Sequence, residues 1–204
     1  DWVEPAAPDC SPLCVLAEMR PCNGTLALRG TVAGTAEAPR LAADLTAERV
    51  AIDEVSYGTI TADLRYDPRK MHVVGALRHP DAGEIRLRGD VPMDLAWAGT
   101  RQDMASAPLD LTLEAERLDL RFVRGLAPGT LRSSDGRLTL ALRLTGPRAA
   151  PRAFGDITLR NGRIEPTATG VAYHNVRVTA VAMGDRLEVQ ELRALEPEYS
   201  AGPR

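Results

Sequence analysis

The sequence predicts a mainly β protein, and three observations carry that reading. Apolar and polar residues alternate with period two from residue 24 onward, turn residues recur at short intervals, and a block of sequence repeats. A strand points successive side chains to opposite faces, so strict alternation gives each segment one apolar and one wetted side. That is the pattern of antiparallel strands with one face in water.

Taken in order, residues 1–23 are rich in Pro and Cys and read as an irregular lead-in. The first β block spans 24–97. In it Leu26 and Leu28 alternate with Thr25, Ala27 and Arg29, and Ile60, Ala62, Leu64 and Tyr66 alternate with Thr61, Asp63 and Arg65. Met71, Val73, Gly75 and Leu77 follow, then Ile85, Leu87, Gly89 and Val91 opposed by Glu84, Arg86, Arg88 and Asp90. Residues 98–107 read as a loop, and 108–204 as a second β block. There Leu109, Leu111 and Leu113 oppose Asp110, Thr112 and Glu114, and Leu138, Leu140, Leu142 and Leu144 oppose Arg137, Thr139, Ala141 and Arg143. Turns are expected at Asp67-Pro68, Pro80 to Gly83, Pro128-Gly129, Ser133 to Gly136 and Gly184-Asp185. Asn161-Gly162 reads as a hairpin turn, because that pair accepts positive φ. Leu118, Phe122 and Val123 are spaced as on a helix, which predicts a short amphipathic helix near 118–126.

A shift of 112 positions superposes Gly24 on Gly136, Leu26 on Leu138, Leu28 on Leu140, Gly34 on Gly146 and Pro39 on Pro151, and also Gly58 on Gly170 and Arg65 on Arg177. The match gives 12 identities over 42 positions without a gap, where chance gives about three. Repeated one-faced strands suggest blocks that stack and cover each other's edges.

Composition narrows the function. The net charge is −3 with both signs interspersed, and 4% of residues are aromatic. A nucleic-acid binder needs a basic face and stacking platforms, and a sugar site needs aromatic faces, so both classes lose ground. His72, His79 and His174 have no partner at metal-ligand spacing, and no Walker, nucleophile-elbow or H-E-x-x-H pattern occurs. His72 reads as a solvated residue on a wet strand face, and Glu114 and Glu116 as a solvated acidic pair. No catalytic residue, cofactor or metal site is expected. Cys10, Cys14 and Cys22 allow one bridge with a free thiol, or three thiols; a metal would need a fourth ligand. No run of apolar residues approaches a membrane span, and no signal peptide is present. A start at Asp1 without Met, and an end in mid-pattern, read as a segment of a longer chain.

The runs Gly24-Thr25-Leu26-Ala27-Leu28-Arg29-Gly30 with Gly34-Thr35 and Pro39, Gly83 to Leu95 (G-x-I-x-L-x-G-x-V-P-x-D-L), Gly136 to Gly146 with Pro151, and Gly155 to Gly162 resemble one family. They look like the C-terminal region of TamB-type translocation and assembly proteins, within the AsmA-like group, over residues 24 to 195. The resemblance implies a curved, U-shaped, β-taco-like groove of long antiparallel strands with an apolar inside. It also implies a place in the periplasm, within a parent protein anchored in the inner membrane. The expected function is non-catalytic: holding or conducting phospholipid between the two membranes. The expected partners are phospholipid acyl chains and an outer-membrane β-barrel assembly protein.

Without the resemblance, the apolar stripes fit a closed β-sandwich slightly better than an open trough; with it, the trough is favoured. The residues expected to line it are Leu26, Leu28, Leu64, Leu87, Leu111, Leu113, Leu138, Leu140, Leu142 and Val178. Two rival readings remain: a scaffold or chaperone module that pairs strand edges with a barrel, and an inert β-repeat spacer or adhesin.

Overall fold

A computed structural model describes residues 22–52, 55–100, 102–122 and 131–195. Ten strands follow in chain order: β1 (Cys22–Gly34), β2 (Pro39–Ile52), β3 (Val55–Asp67), β4 (Lys70–His79), β5 (Gly83–Pro92), β6 (Pro108–Asp119), β7 (Leu131–Pro147), β8 (Arg152–Pro166), β9 (Tyr173–Gly184) and β10 (Arg186–Leu195). They form one antiparallel meander in which each strand pairs with its neighbours in sequence. The fold is mainly β, as the alternation predicts.

The closed sandwich is overturned. Substantial strand contacts among the described residues run only between sequence neighbours, so no second layer of strands covers the sheet. Among the described residues β1 and β10 are its edge strands. The two β blocks are joined directly, because β5 pairs with β6 from Glu84↔Glu116 to Asp90↔Asp110.

Other expectations are corrected in detail. β1 begins at Cys22, inside the expected lead-in, and the connection to β6 occupies 93–107 rather than 98–107. Cys10 and Cys14 lie outside the described residues. Of the helix expected near 118–126, Leu118 and Asp119 instead end β6 and Leu120 is a turn, while Arg121 and Phe122 are helical. The rest of that segment, and Pro128-Gly129, lie outside the described residues. Ser133 to Gly136 lies within β7 and Asn161-Gly162 within β8. Asn161 does adopt the positive φ expected of it, at 51°, but it serves a bulge between Leu159 and Gly162 opposite β9. A bulge needs the same left-handed residue as a tight turn, so the dipeptide could not separate the two.

The repeat is structural. The pairs Leu26↔Ala47, Leu28↔Leu45 and Gly30↔Ala43 recur as Leu138↔Leu159, Leu140↔Ile157 and Leu142↔Gly155. The bulge between Asn23 and Thr25 recurs between Asp135 and Arg137. Backbone angles follow: Gly24 and Gly136 have φ of 145° and 130°, and Arg49 and Asn161 have 53° and 51°. Past β8 the shift of 112 fails. Val50 pairs with Gly58, whereas its copy Gly162 pairs with Val176, so Gly58/Gly170 and Arg65/Arg177 are coincidental identities.

Candidate functional site

Period two, carried through nine registers, aligns the apolar residues into rungs that cross the sheet. One rung runs through all ten strands: Leu28, Leu45, Ala62, Gly75, Leu87, Leu113, Leu142, Gly155, Ala182 and Leu187. A second runs Leu26, Ala47, Ile60, Leu77, Ile85, Ala115, Leu140, Ile157, Ala180 and Val189. A third passes through Leu64, Val73, Gly89, Leu111 and Leu144, and a shorter one through Leu138, Leu159 and Val178. All ten residues expected from the sequence to line a trough fall on these four rungs.

Small residues interrupt the rungs where strands approach closely. A Cβ on Gly89 (φ 142°) would run into the Asp110 carbonyl oxygen and come within 2.9 Å of the Leu111 Cα. With Ala62 and Gly75 beside it, β3 to β5 carry little side-chain bulk at the middle of the apolar face.

Both ends of this face are covered. At one end the chain leaving β5 turns back across the strands. Met93 N–H donates to the Arg69 carbonyl (3.1 Å), and Trp97 N–H to the Ala36 carbonyl (2.8 Å). The Tyr66 hydroxyl accepts from the backbone N–H groups of Arg69 (3.1 Å) and Leu95 (2.9 Å). Tyr66, Pro39, Ala96 and Leu109 are buried there.

At the other end Phe122 swings over the second rung. It packs edge-on against Tyr57 (5.2 Å between centroids) and His79 (5.7 Å), in a cluster with Leu26, Val50 and Leu118. Asp119, 3% exposed, sets this turn. Its carboxylate accepts from the Arg121 backbone N–H (2.9 Å) and guanidinium (2.6 Å), much as a helix N-cap does. Burial pushes the Asp119 carboxyl up, but the Arg121 hydrogen bonds outweigh it and hold the group below its ordinary value.

Between these covers the leucines are half-buried: Leu64, Leu87, Leu111, Leu113 and Leu142 all keep part of their surface in contact with solvent. Leu26 is buried in the end cluster, against which Leu138 and Leu140 pack. Leu28, on the edge strand, is 62% exposed. The sequence located the leucines but missed the covers, since neither Tyr66 nor Phe122 differs in pattern from an ordinary core residue.

The opposite face is ionic. Glu84 accepts from Arg86 and Arg78, both at 2.7 Å. Those hydrogen bonds, Arg86 first, hold its carboxyl below the usual range. Arg143 grips Asp110 with two hydrogen bonds of 2.9 and 2.8 Å, lowering that carboxyl too. His72, expected to be merely solvated, has a partner in Asp90 (Nδ1 to Oδ1, 2.9 Å), whose carboxyl that bond lowers. Two depressions on this face, of about 490 and 860 Å³, are floored by such pairs and by threonines. One side of the sheet is therefore built for water and the other for aliphatic contact.

No family model matches the sequence, and no solved structure matches the fold.

Proposed function

We propose that the chain is a non-catalytic wall of an apolar trough that holds phospholipid tails. The observation that carries this reading is the pair of apolar rungs across ten strands, the first of them half-buried from Leu45 to Gly155 between two end covers. Ten strands spaced by about 4.8 Å make a strip roughly 43 Å long, and three rungs set two residues apart make it roughly 14 Å wide from the second, across the first, to the third. A lipid tail spans about half of a hydrocarbon core of roughly 30 Å, so tails fit along or across such a strip. Aliphatic lining without inward charges selects poorly among tails, which suits a conduit or holder more than a tight receptor.

The resemblance to TamB-type proteins supports the same reading. It extends it to a periplasmic segment of an inner-membrane-anchored protein that passes lipid between membranes. Native mass spectrometry of protein purified without detergent exchange tests the core claim: phospholipid adducts are expected. A chain that carries none, and that fails to bind a fluorescent fatty acid, overturns it.

A further inference from the structure

We infer that the free edge of β1 is a docking site for an extended strand with the chemistry of β6. The internal repeat carries this assignment independently of lipid binding. β7 repeats β1 at a shift of 112, sharing Gly24/Gly136, Leu26/Leu138, Leu28/Leu140 and Gly34/Gly146, with the same partner register, the same bulge and matching positive-φ glycines. The edge of β7 that faces away from β8 is occupied by β6, which places Ala115 opposite Leu140, Leu113 opposite Leu142 and Leu111 opposite Leu144. The same edge of β1 has no strand on it among the described residues. Its cost is visible: Leu28 and Val32 are 62% and 65% exposed, whereas their copies Leu140 and Leu144 are half-buried beside β6.

The repeat also fixes what the occupant looks like. It runs antiparallel to β1 and sets small or aliphatic residues opposite Leu26, Leu28, Gly30 and Val32, continuing the rungs. On the ionic face, the β6 residue opposite Ala141 is Glu114, and the copy of Ala141 is Arg29. Arg29 is exposed and makes no ion pair among the described residues. An acid at that position of the incoming strand would meet it, which distinguishes a β6-like strand from an arbitrary aliphatic one.

The test uses a synthetic peptide of Pro108–Asp119 sequence added to the full chain, with hydrogen exchange read by mass spectrometry. Saturating peptide should slow exchange in Cys22–Gly34 by about tenfold or more, as pairing closes the open amides. A scrambled peptide should do nothing. Arg29→Glu should weaken peptide binding, and a peptide carrying Arg in place of Glu114 should restore it. Arg29 faces Asp44 across the β1–β2 pair, so Arg29→Glu should lower the urea midpoint slightly, and a single cooperative transition verifies that the sheet still folds. Three results overturn the proposal: no protection, protection of Arg186–Leu195 instead, or protection that rises with protein concentration without peptide, which would assign the edge to a second copy.

Discussion

Leu113 sits near the centre of the first rung, between Leu87 and Leu142, and Leu113→Asp separates an open apolar face from a sealed one. A fully buried leucine contributes about 1.5–3 kcal/mol, so a half-buried one contributes roughly 1 kcal/mol. A carboxylate that still reaches water adds a desolvation cost of roughly another 1 kcal/mol. The expected loss is therefore about 2 kcal/mol by urea unfolding, leaving the sheet folded. Beneath a packed second layer, the same unpaired charge would cost about 3–5 kcal/mol in addition. Phospholipid load in native mass spectra should fall about tenfold, equivalent to roughly 1.4 kcal/mol of binding. Thr112→Asp, one residue away on the ionic face opposite Arg88 and Arg143, should change neither quantity. An unfolded Leu113→Asp protein, or an undiminished lipid load, refutes the open-face reasoning. Leu140 is a poorer probe, because it packs against the end cluster and its loss mixes stability with binding.

Phe122→Ala removes the aromatic cover from Tyr57 and His79, and should cost about 3–4 kcal/mol by urea unfolding. Tyr66→Phe leaves the N–H groups of Arg69 and Leu95 without their acceptor, and should cost about 2 kcal/mol; an unchanged midpoint would show that water replaces the hydroxyl. Asp119→Asn should cost about 1–2 kcal/mol at pH 7, discounted for the solvent around Arg121. Because the folded-state carboxyl lies below its ordinary 3.8, its contribution is complete above that value and fades as pH falls through the lowered one. Unfolding midpoints of wild type and Asp119→Asn should thus differ most at neutral pH and converge in acid.

Legibility tracked the strictness of alternation. β5 and the centre of β7 were the most readable, because Leu and Ile recur at every second position with Arg, Glu or Thr between most of them, and β3 and β4 followed from the same period. β2 was hidden by alanines on both faces (Ala42, Ala43, Ala47), which blur the period. Bulges did the most damage, because each extra residue shifts the phase of the alternation by one. Arg117, at φ 50°, lets Leu118 return to the apolar side after Ala115, so its helix-like spacing to Phe122 joins a strand residue to one in a helical turn. Arg49 does the same before Val50, and neither arginine is a residue type that announces a left-handed conformation. The rungs were legible only in part, since a rung is a property of register and the sequence supplies one strand of it at a time.

The bulges and the half-exposed rungs are two sides of one physical problem. Among the described residues a single sheet layer covers little of its apolar face, so burial there is incomplete. The bulges at Arg49, Arg117 and Asn161 lie beside the rungs of Ala47, Ala115 and Leu159, near the end that Phe122 covers. By adding local twist and re-aiming side chains, they bring Val50 and Leu118 into a closed cluster at that end while the middle stays open. Stability is thus concentrated in the pairing and the end covers, and the middle of the face contributes least until something aliphatic fills it. Whatever binds there stabilises the folded chain by mass action. On this reading, occupancy of the apolar face and the stability of the sheet are one coupled equilibrium rather than two independent properties.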